Sequence, residues 1–114
     1  MKSVIKSAIN NLKGGAAVLA RPIVDFPVQD EMIVSSEYTF RVSAPENAES
    51  VDISINQGPW LACRKAEGFW WYDWSGFDNG EHELISRSLV ARTPGKSGKF
   101  LLSTPVEFKV KRPS

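Results

Sequence analysis

Few side chains in this sequence have the types and positions that chemistry would need. His82 is the single histidine and Cys63 the single cysteine. A Ser-His-Asp or Cys-His relay would have to use His82. That residue stands in an alternating run, in phase with Leu84, Ser86 and Ser88, which reads as a structural histidine within a strand. One histidine and one cysteine do not make a metal cluster. Arg64 and Lys65 follow Cys63 and would lower the pKa of an accessible thiol; inside a short strand Cys63 reads instead as an inert, partly buried thiol. Glu81 and Glu83 share one strand face about 7 Å apart, whereas glycoside hydrolysis needs two carboxyls facing each other across a cleft. Gly95 and Gly98 follow no strand-to-helix switch, so they form no phosphate loop. The expectation is a protein that is not an enzyme, with no catalytic residue, metal ligand or cofactor.

Binding chemistry concentrates in Phe69-Trp70-Trp71-Tyr72-Asp73-Trp74. Successive side chains of a strand point to opposite faces, so Trp70, Tyr72 and Trp74 share one face and Phe69, Trp71 and Asp73 the other. Burying Asp73 unpaired is costly, which puts its face towards water and the three-aromatic face in the core. Phe69, Trp71 and Asp73 are then the candidate ligand- or partner-binding residues: an aromatic pair beside a carboxylate, suited to a sugar ring or to a partner's apolar patch. The alternative is that another part of the chain covers them.

The elements that must position these residues follow a period of two from Arg21 on. Candidate strands are Ile23 to Val28, Met32 to Val34, Tyr38 to Ala44, Val51 to Asn56, Trp60 to Arg64, Phe69 to Trp74, His82 to Leu89 and Phe100 to Val110. Pro22 and Pro27 mark the first as an edge. Turns are expected at Gln57-Gly58-Pro59 and at Asp78-Asn79-Gly80, where Asn and Gly tolerate positive φ. Thr93 to Gly98 reads as a basic loop. About seven short strands with turns every 8–12 residues predict an all-β, immunoglobulin-like antiparallel sandwich over residues 21–112.

Residues 1–20 read differently. Val4, Ile5, Ala8, Ile9 and Leu12 fall on one helical face, Ser3 can cap the start and Gly14-Gly15 stop it. A three-turn helix over 3–13 needs a surface to pack against, either its own domain or a partner. Asn10, Asn11 and Lys13 break the apolar run that a secretion signal requires, although Val18-Leu19-Ala20 resembles a cleavage site.

With 114 residues the chain makes one domain. Its 14 basic and 13 acidic side chains leave a net charge of +1, which holds no polyanion, so nucleic acid is not an expected partner. No apolar run approaches the ~20 residues of a membrane span. A lone cysteine leans towards a reducing compartment, the cytoplasm, without excluding the periplasm.

The run from Val51-Asp52-Ile53-Ser54-Ile55-Asn56-Gln57-Gly58-Pro59-Trp60, through Trp70-x-Tyr72-x-Trp74, to Gly80-Glu81-His82-Glu83-Leu84 and Arg87 resembles the bacterial early-set (E-set) immunoglobulin-like domains. It is similar in particular to the dimerisation domain of sulfite-oxidase-type molybdenum enzymes. That resemblance covers about residues 22–110 and implies the sandwich fold; the catalytic cysteine of those enzymes lies in a domain this chain lacks, and Cys63 matches no position of theirs. A weaker similarity, through Trp60 and Trp70 to Trp74, is to starch- and glycogen-binding modules. The expected function is a non-catalytic protein-interaction or assembly module, partnered by another protein or a second copy. A carbohydrate-binding module and an accessory subunit of a redox enzyme are the alternatives.

Overall fold

A computed structural model describes residues 21–90 and 98–112. The helix expected over residues 3–13, with the rest of segment 1–20, and nearly all of the loop from Thr93 to Gly98 lie outside the described residues. Ten strands form there: β1 (Ile23–Phe26), β2 (Met32–Ile33), β3 (Glu37–Ser43), β4 (Ala48–Ile55), β5 (Trp60–Ala62), β6 (Arg64–Ala66), β7 (Phe69–Ser75), β8 (Gly80–Val90), β9 (Lys99–Leu102) and β10 (Val106–Val110). A four-stranded sheet in the order β1-β3-β7-β6 faces a six-stranded sheet in the order β2-β10-β8-β4-β5, in which β9 also pairs with β8. All pairings are antiparallel except β10 with β2. The result is an all-β sandwich.

Period-two patterning carries the core. Phe40 and Val42 of β3, Val51 and Ile53 of β4, Leu84 of β8 and Phe108 of β10 are buried between the sheets. Trp70 joins them, while Tyr72 and Trp74 pack against the same cluster half-buried. Trp74 stacks on Phe77 at 3.9 Å between ring centroids and meets Phe40 at 5.2 Å and Phe108 at 5.6 Å. The alternation of β7 is therefore the expected one, with Asp73 exposed on the opposite face.

The strand count rises from about seven to ten because Met32–Ile33 forms a strand of its own, in the larger sheet and apart from β1, and because two expected strands break. Trp60 to Arg64 divides at Cys63: β5 pairs with β4 in one sheet and β6 with β7 in the other. Phe100 to Val110 divides at Ser103-Thr104-Pro105. Proline has no N–H for a ladder bond, and Ser103 bridges the break. Its N–H donates to Ser86 O at 2.8 Å, and its Oγ accepts from Ser86 N–H at 2.9 Å. Two tight turns use left-handed backbone. Asn56 and Gln57 (φ 54° and 63°) close β4 onto β5, with Gly58 N–H bonded to Ile55 O at 2.9 Å. Glu67 and Gly68 (φ 54° and 85°) close β6 onto β7. Positive φ at consecutive positions matches the twist of the two-residue hairpin loop Glu67-Gly68.

Two core positions are polar. Ser86 and Ser88 are fully buried on β8, and neither hydroxyl has a hydrogen-bond partner among the described residues. A buried, unpaired hydroxyl costs free energy that a methyl would not. Ser86→Ala and Ser88→Ala should therefore leave the urea midpoint unchanged or raise it, whereas Trp74→Ala should lose about 3–5 kcal/mol. A large loss from either serine variant would show that its hydroxyl is paired.

Candidate functional site

On the outer face of the four-stranded sheet, β3 and β7 bring Arg41 opposite Trp71, and β6 adds Arg64 opposite Trp71 on the other side. Between Val24 and Phe26 the β1–β3 register shifts, and this bulge turns both Asp25 and Phe26 towards Arg41. Arg41 Nε donates to Asp25 Oδ2 at 3.2 Å. Its guanidinium lies 4.7 Å from the Phe26 ring centroid and 4.1 Å from that of Phe69. Phe69 meets Trp71 edge-on at 6.0 Å, and the Trp71 indole N–H donates to Ala66 O at 2.9 Å. Asp73 accepts from Thr39 Oγ1 and from Arg64, both at 2.9 Å. The Thr39 bond first, and then Arg64, hold the Asp73 carboxyl below the usual carboxylate range.

The structure thus brings Phe69, Trp71 and Asp73 together on one face, as the alternation requires. Their polar atoms are already engaged, however, and both rings are half-buried. The cover over Phe69 is Arg41, and Trp71 is tied to the turn that follows β6.

A second aromatic–arginine cluster, which alternation within single strands does not reveal, stands on the outer face of the six-stranded sheet. Arg87 of β8 pairs in register with Asp52 of β4 on one side and with Leu102 of β9 on the other. Its Nε donates to Asp52 Oδ2 at 2.9 Å. Its guanidinium lies 4.3 Å from the Trp60 ring centroid and 4.1 Å from that of Phe100. Arginine between two rings gains cation–π attraction on both sides, and Asp52 neutralises its charge. The flanking apolar groups remain open to solvent: Trp60 is 37% exposed, Phe100 44% and Leu102 42%. The sequence contained each residue in a strand, but the cluster needs the β5–β4–β8–β9 register, which no single strand encodes.

His82 and Cys63 are both held by contacts within the fold. The Asn56 amide oxygen accepts from Glu83 N–H at 2.8 Å, which turns its nitrogen towards His82 Nδ1 at 3.0 Å. Nδ1 then accepts, and Nε2–H donates to Asp78 O at 2.8 Å. The ring also stacks on Phe108 at 5.6 Å. Burial pushes the Cys63 thiol up to about 12, Asp52 adds to this and Arg64 opposes it. Beside His82, a recess of about 240 Å³ gathers Asp30, Glu81, Glu83 and Glu107 around Lys109. Among the described residues no group of three His, Cys, Asp or Glu side chains could hold a metal ion. No helix there is long and apolar enough to cross a membrane.

Three outcomes test this geometry. Cys63 should react with a thiol reagent at pH 8 far more slowly in the native chain than in urea; equal rates would place the thiol at the surface. Arg87→Met leaves the Asp52 carboxylate, 18% exposed, without its partner, and should cost about 1–3 kcal/mol; in the Arg87→Met/Asp52→Asn chain the combined loss should be less than additive. The Asp73 carboxyl should titrate below an unfolded-chain aspartate in NMR. A depressed carboxylate stabilises the fold above its unfolded pKa and loses that contribution as pH falls through the folded pKa.

No protein-family model matches the chain, and no curated protein matches it in sequence. Solved structures do. The fibronectin(III)-like modules of Clostridium thermocellum CbhA superpose with a TM-score of 0.64 at 12% identity, over 80% of this chain and 94% of that one. An endo-β-1,4-mannanase from Thermotoga petrophila gives 0.61 at 14% identity, over 85% of this chain. An engineered protein gives 0.59 at 18% identity, over 83% of this chain. This chain spans 21% of the mannanase and 21% of the engineered protein. At such identities the likeness concerns the fold alone: the chain folds as an immunoglobulin-like β-sandwich with the architecture of a fibronectin(III)-like module.

Proposed function

We propose that this protein is a non-catalytic interaction or assembly module, and that its contact surface is the outer face of the six-stranded sheet around Trp60, Arg87, Phe100 and Leu102. One observation carries this reading: both rings that flank an arginine already neutralised by Asp52 are open to solvent, Trp60 at 37% and Phe100 at 44%, whereas at Arg41 Phe26 is open and Phe69 half-buried. Trp and Arg are the residue types that dominate interface energetics when a partner excludes water around them. A charge paired within its own chain adds no unpaired charge to the contact.

The comparison structures support a module rather than an enzyme only through shared architecture. The CbhA neighbours are described as modules and align over nearly their full length. The finer resemblance, to the dimerisation domain of sulfite-oxidase-type enzymes, is supported by the sequence pattern from Val51 to Arg87. The alternative of a sugar site on Phe69, Trp71 and Asp73 loses ground to the geometry, because the Asp73 oxygens and the Trp71 N–H bond within the sheet. On the opposite sheet the Arg87 guanidinium lies over a face of each ring.

Site-specific incorporation of a benzophenone amino acid at position 60, and separately at position 71, tests the reading in cells. The expected outcome is a discrete protein adduct from position 60 and none from position 71. Retardation of the chain in a polysaccharide gel, abolished by Trp60→Ala and without any protein adduct, would overturn it in favour of carbohydrate binding.

A further inference from the structure

The outer face of the larger sheet carries two kinds of surface side by side, and β8 sets their spacing. Leu84 is buried in the core, so Glu81, Glu83, Ile85 and Arg87 of the same strand point outward. Across the sheet Ile85 stands opposite Ser54, and Ser54 opposite Trp60. Arg87 stands between Asp52 and Leu102. These two rows make up the apolar and aromatic half, whose one ion pair, Arg87 with Asp52, is internal to it.

The next row is charged. Glu83 of β8 stands directly opposite Glu107 of β10, and Glu81 opposite Lys109. The backbone shows how close the first pair is. Glu83 O accepts from Asn56 N–H, and Glu83 N–H donates to Asn56 Oδ1, both at 2.8 Å. Glu107 turns the other way: its N–H donates to Gln29 Oε1 at 3.0 Å, and its O accepts from Asp30 N–H at 2.7 Å. The two residues therefore form a non-hydrogen-bonded pair, the closer kind in an antiparallel ladder, about 4.5 Å apart at Cα. Like charges directly opposite each other destabilise a sheet. No ion pair among the described residues relieves this one, since those present join Arg41, Arg64 and Arg87 to other carboxylates. With Asp30 and Glu81, the recess sets four carboxylates against the one ammonium of Lys109. A cation brought by a partner would turn that repulsion into attraction.

We propose that the Trp60–Arg87 surface takes a cationic amphipathic segment of another protein, with its apolar side over Trp60, Ile85 and Leu102 and its lysine or arginine side chains at Glu83 and Glu107. This deepens the interaction reading above and rests on it. Charge decides the occupant. A neutral or acidic segment would lie against the Glu83–Glu107 pair without compensating it. A second copy of the same face brings one ammonium for every four carboxylates. The spacing follows from the ladder. Outward side chains of β8 repeat every two residues, so the acidic row lies about 7 Å from the Ile85–Trp60 row and about 14 Å from Arg87. On a helical partner these spans correspond to about five and nine residues between apolar anchor and basic side chain.

Two short synthetic peptides, leucine with lysine and leucine with glutamate in the same amphipathic order, test the proposal by calorimetric titration against the full chain. The lysine peptide should bind, more weakly as salt rises, and the glutamate peptide should not. Glu83→Gln/Glu107→Gln should weaken binding about tenfold, as loss of charge-assisted contacts does, and Trp60→Ala should weaken it too. Removing two exposed carboxylates elsewhere, in Glu46→Gln/Glu49→Gln, should leave it unchanged. The Glu83→Gln/Glu107→Gln chain should also melt at a higher temperature in low salt, because the opposed charges are gone. Opposite effects on binding and on stability are the signature of a pair kept for contact. Equal binding of both peptides, equal loss in the Glu46→Gln/Glu49→Gln chain, binding indifferent to Trp60→Ala, or a lower melting temperature in the Glu83→Gln/Glu107→Gln chain would each overturn the proposal. Mass spectrometry of the position-60 adduct separates the two levels. An adduct to a second copy, or to a segment without lysine or arginine, ends this proposal and leaves the module reading standing. A cross-link confined to the chain's own residues 1–20, or none at all, ends both.

Discussion

The outer surfaces of this fold depend on the ladder of β8. Eleven residues long, it is bonded along one side to β4 and along the other first to β10 and then to β9. Its period of two sends Leu84, Ser86 and Ser88 into the core and Arg87 out. Without that register Arg87 would not reach Asp52, Trp60 and Phe100 at once, since the four residues come from four strands. The Ser103 bridge is the condition for the long pairing: it lets one partner path break at a proline while the ladder continues across the break.

Both sheets carry the same device on their outer faces. An arginine from a central strand lies between two aromatic rings and donates to an aspartate on a neighbouring strand: Arg41 with Phe26, Phe69 and Asp25, and Arg87 with Phe100, Trp60 and Asp52. The aspartates are 18% exposed in both cases and the arginines 28% and 24%. What differs is the surroundings. The rings around Arg87 stand at the sheet's margins on β5 and β9, where fewer neighbours shelter them. On the smaller sheet Phe69 lies on β7, between β3 and β6, while Phe26 stands on the edge strand β1 and is 43% exposed. Equal chemistry at unequal positions leaves one ring of the Arg41 pair open to solvent and both rings of the Arg87 pair.

Much of this was legible in the residues, because local alternation decides it. The inward set Trp70, Tyr72 and Trp74 and the outward set Phe69, Trp71 and Asp73 follow from strand geometry and from the cost of burying Asp73. The turn at Gly80 follows from backbone freedom; the turn expected at Gln57-Gly58-Pro59 is there, but its left-handed residues are Asn56 and Gln57 rather than the glycine. What was not legible depends on register between distant strands. The expected strand from Trp60 to Arg64 changes sheets at Cys63, which the continuous run hides; the break of the strand from Phe100 to Val110 at Pro105 was signalled by the proline itself. The Arg87 cluster joins residues 52, 60, 87 and 100, whose meeting no spacing announces. The expected binding residues Phe69, Trp71 and Asp73 do stand together, but their engagement with Arg41, Ala66, Thr39 and Arg64 depends on partners in other strands.

The change of sheet at Cys63 has a mechanical counterpart at the opposite edge, where the chain passes from β1 in the smaller sheet to β2 in the larger. Covalent backbone therefore stitches the two layers along both of their long margins, by a single residue on one side and a five-residue span on the other. Two sheets held only by side-chain contact can slide across each other under shear. Here the one-residue link at Cys63 limits how far the layers can move past each other at that margin. The path of the chain itself thus restrains the alignment of the two layers at both margins.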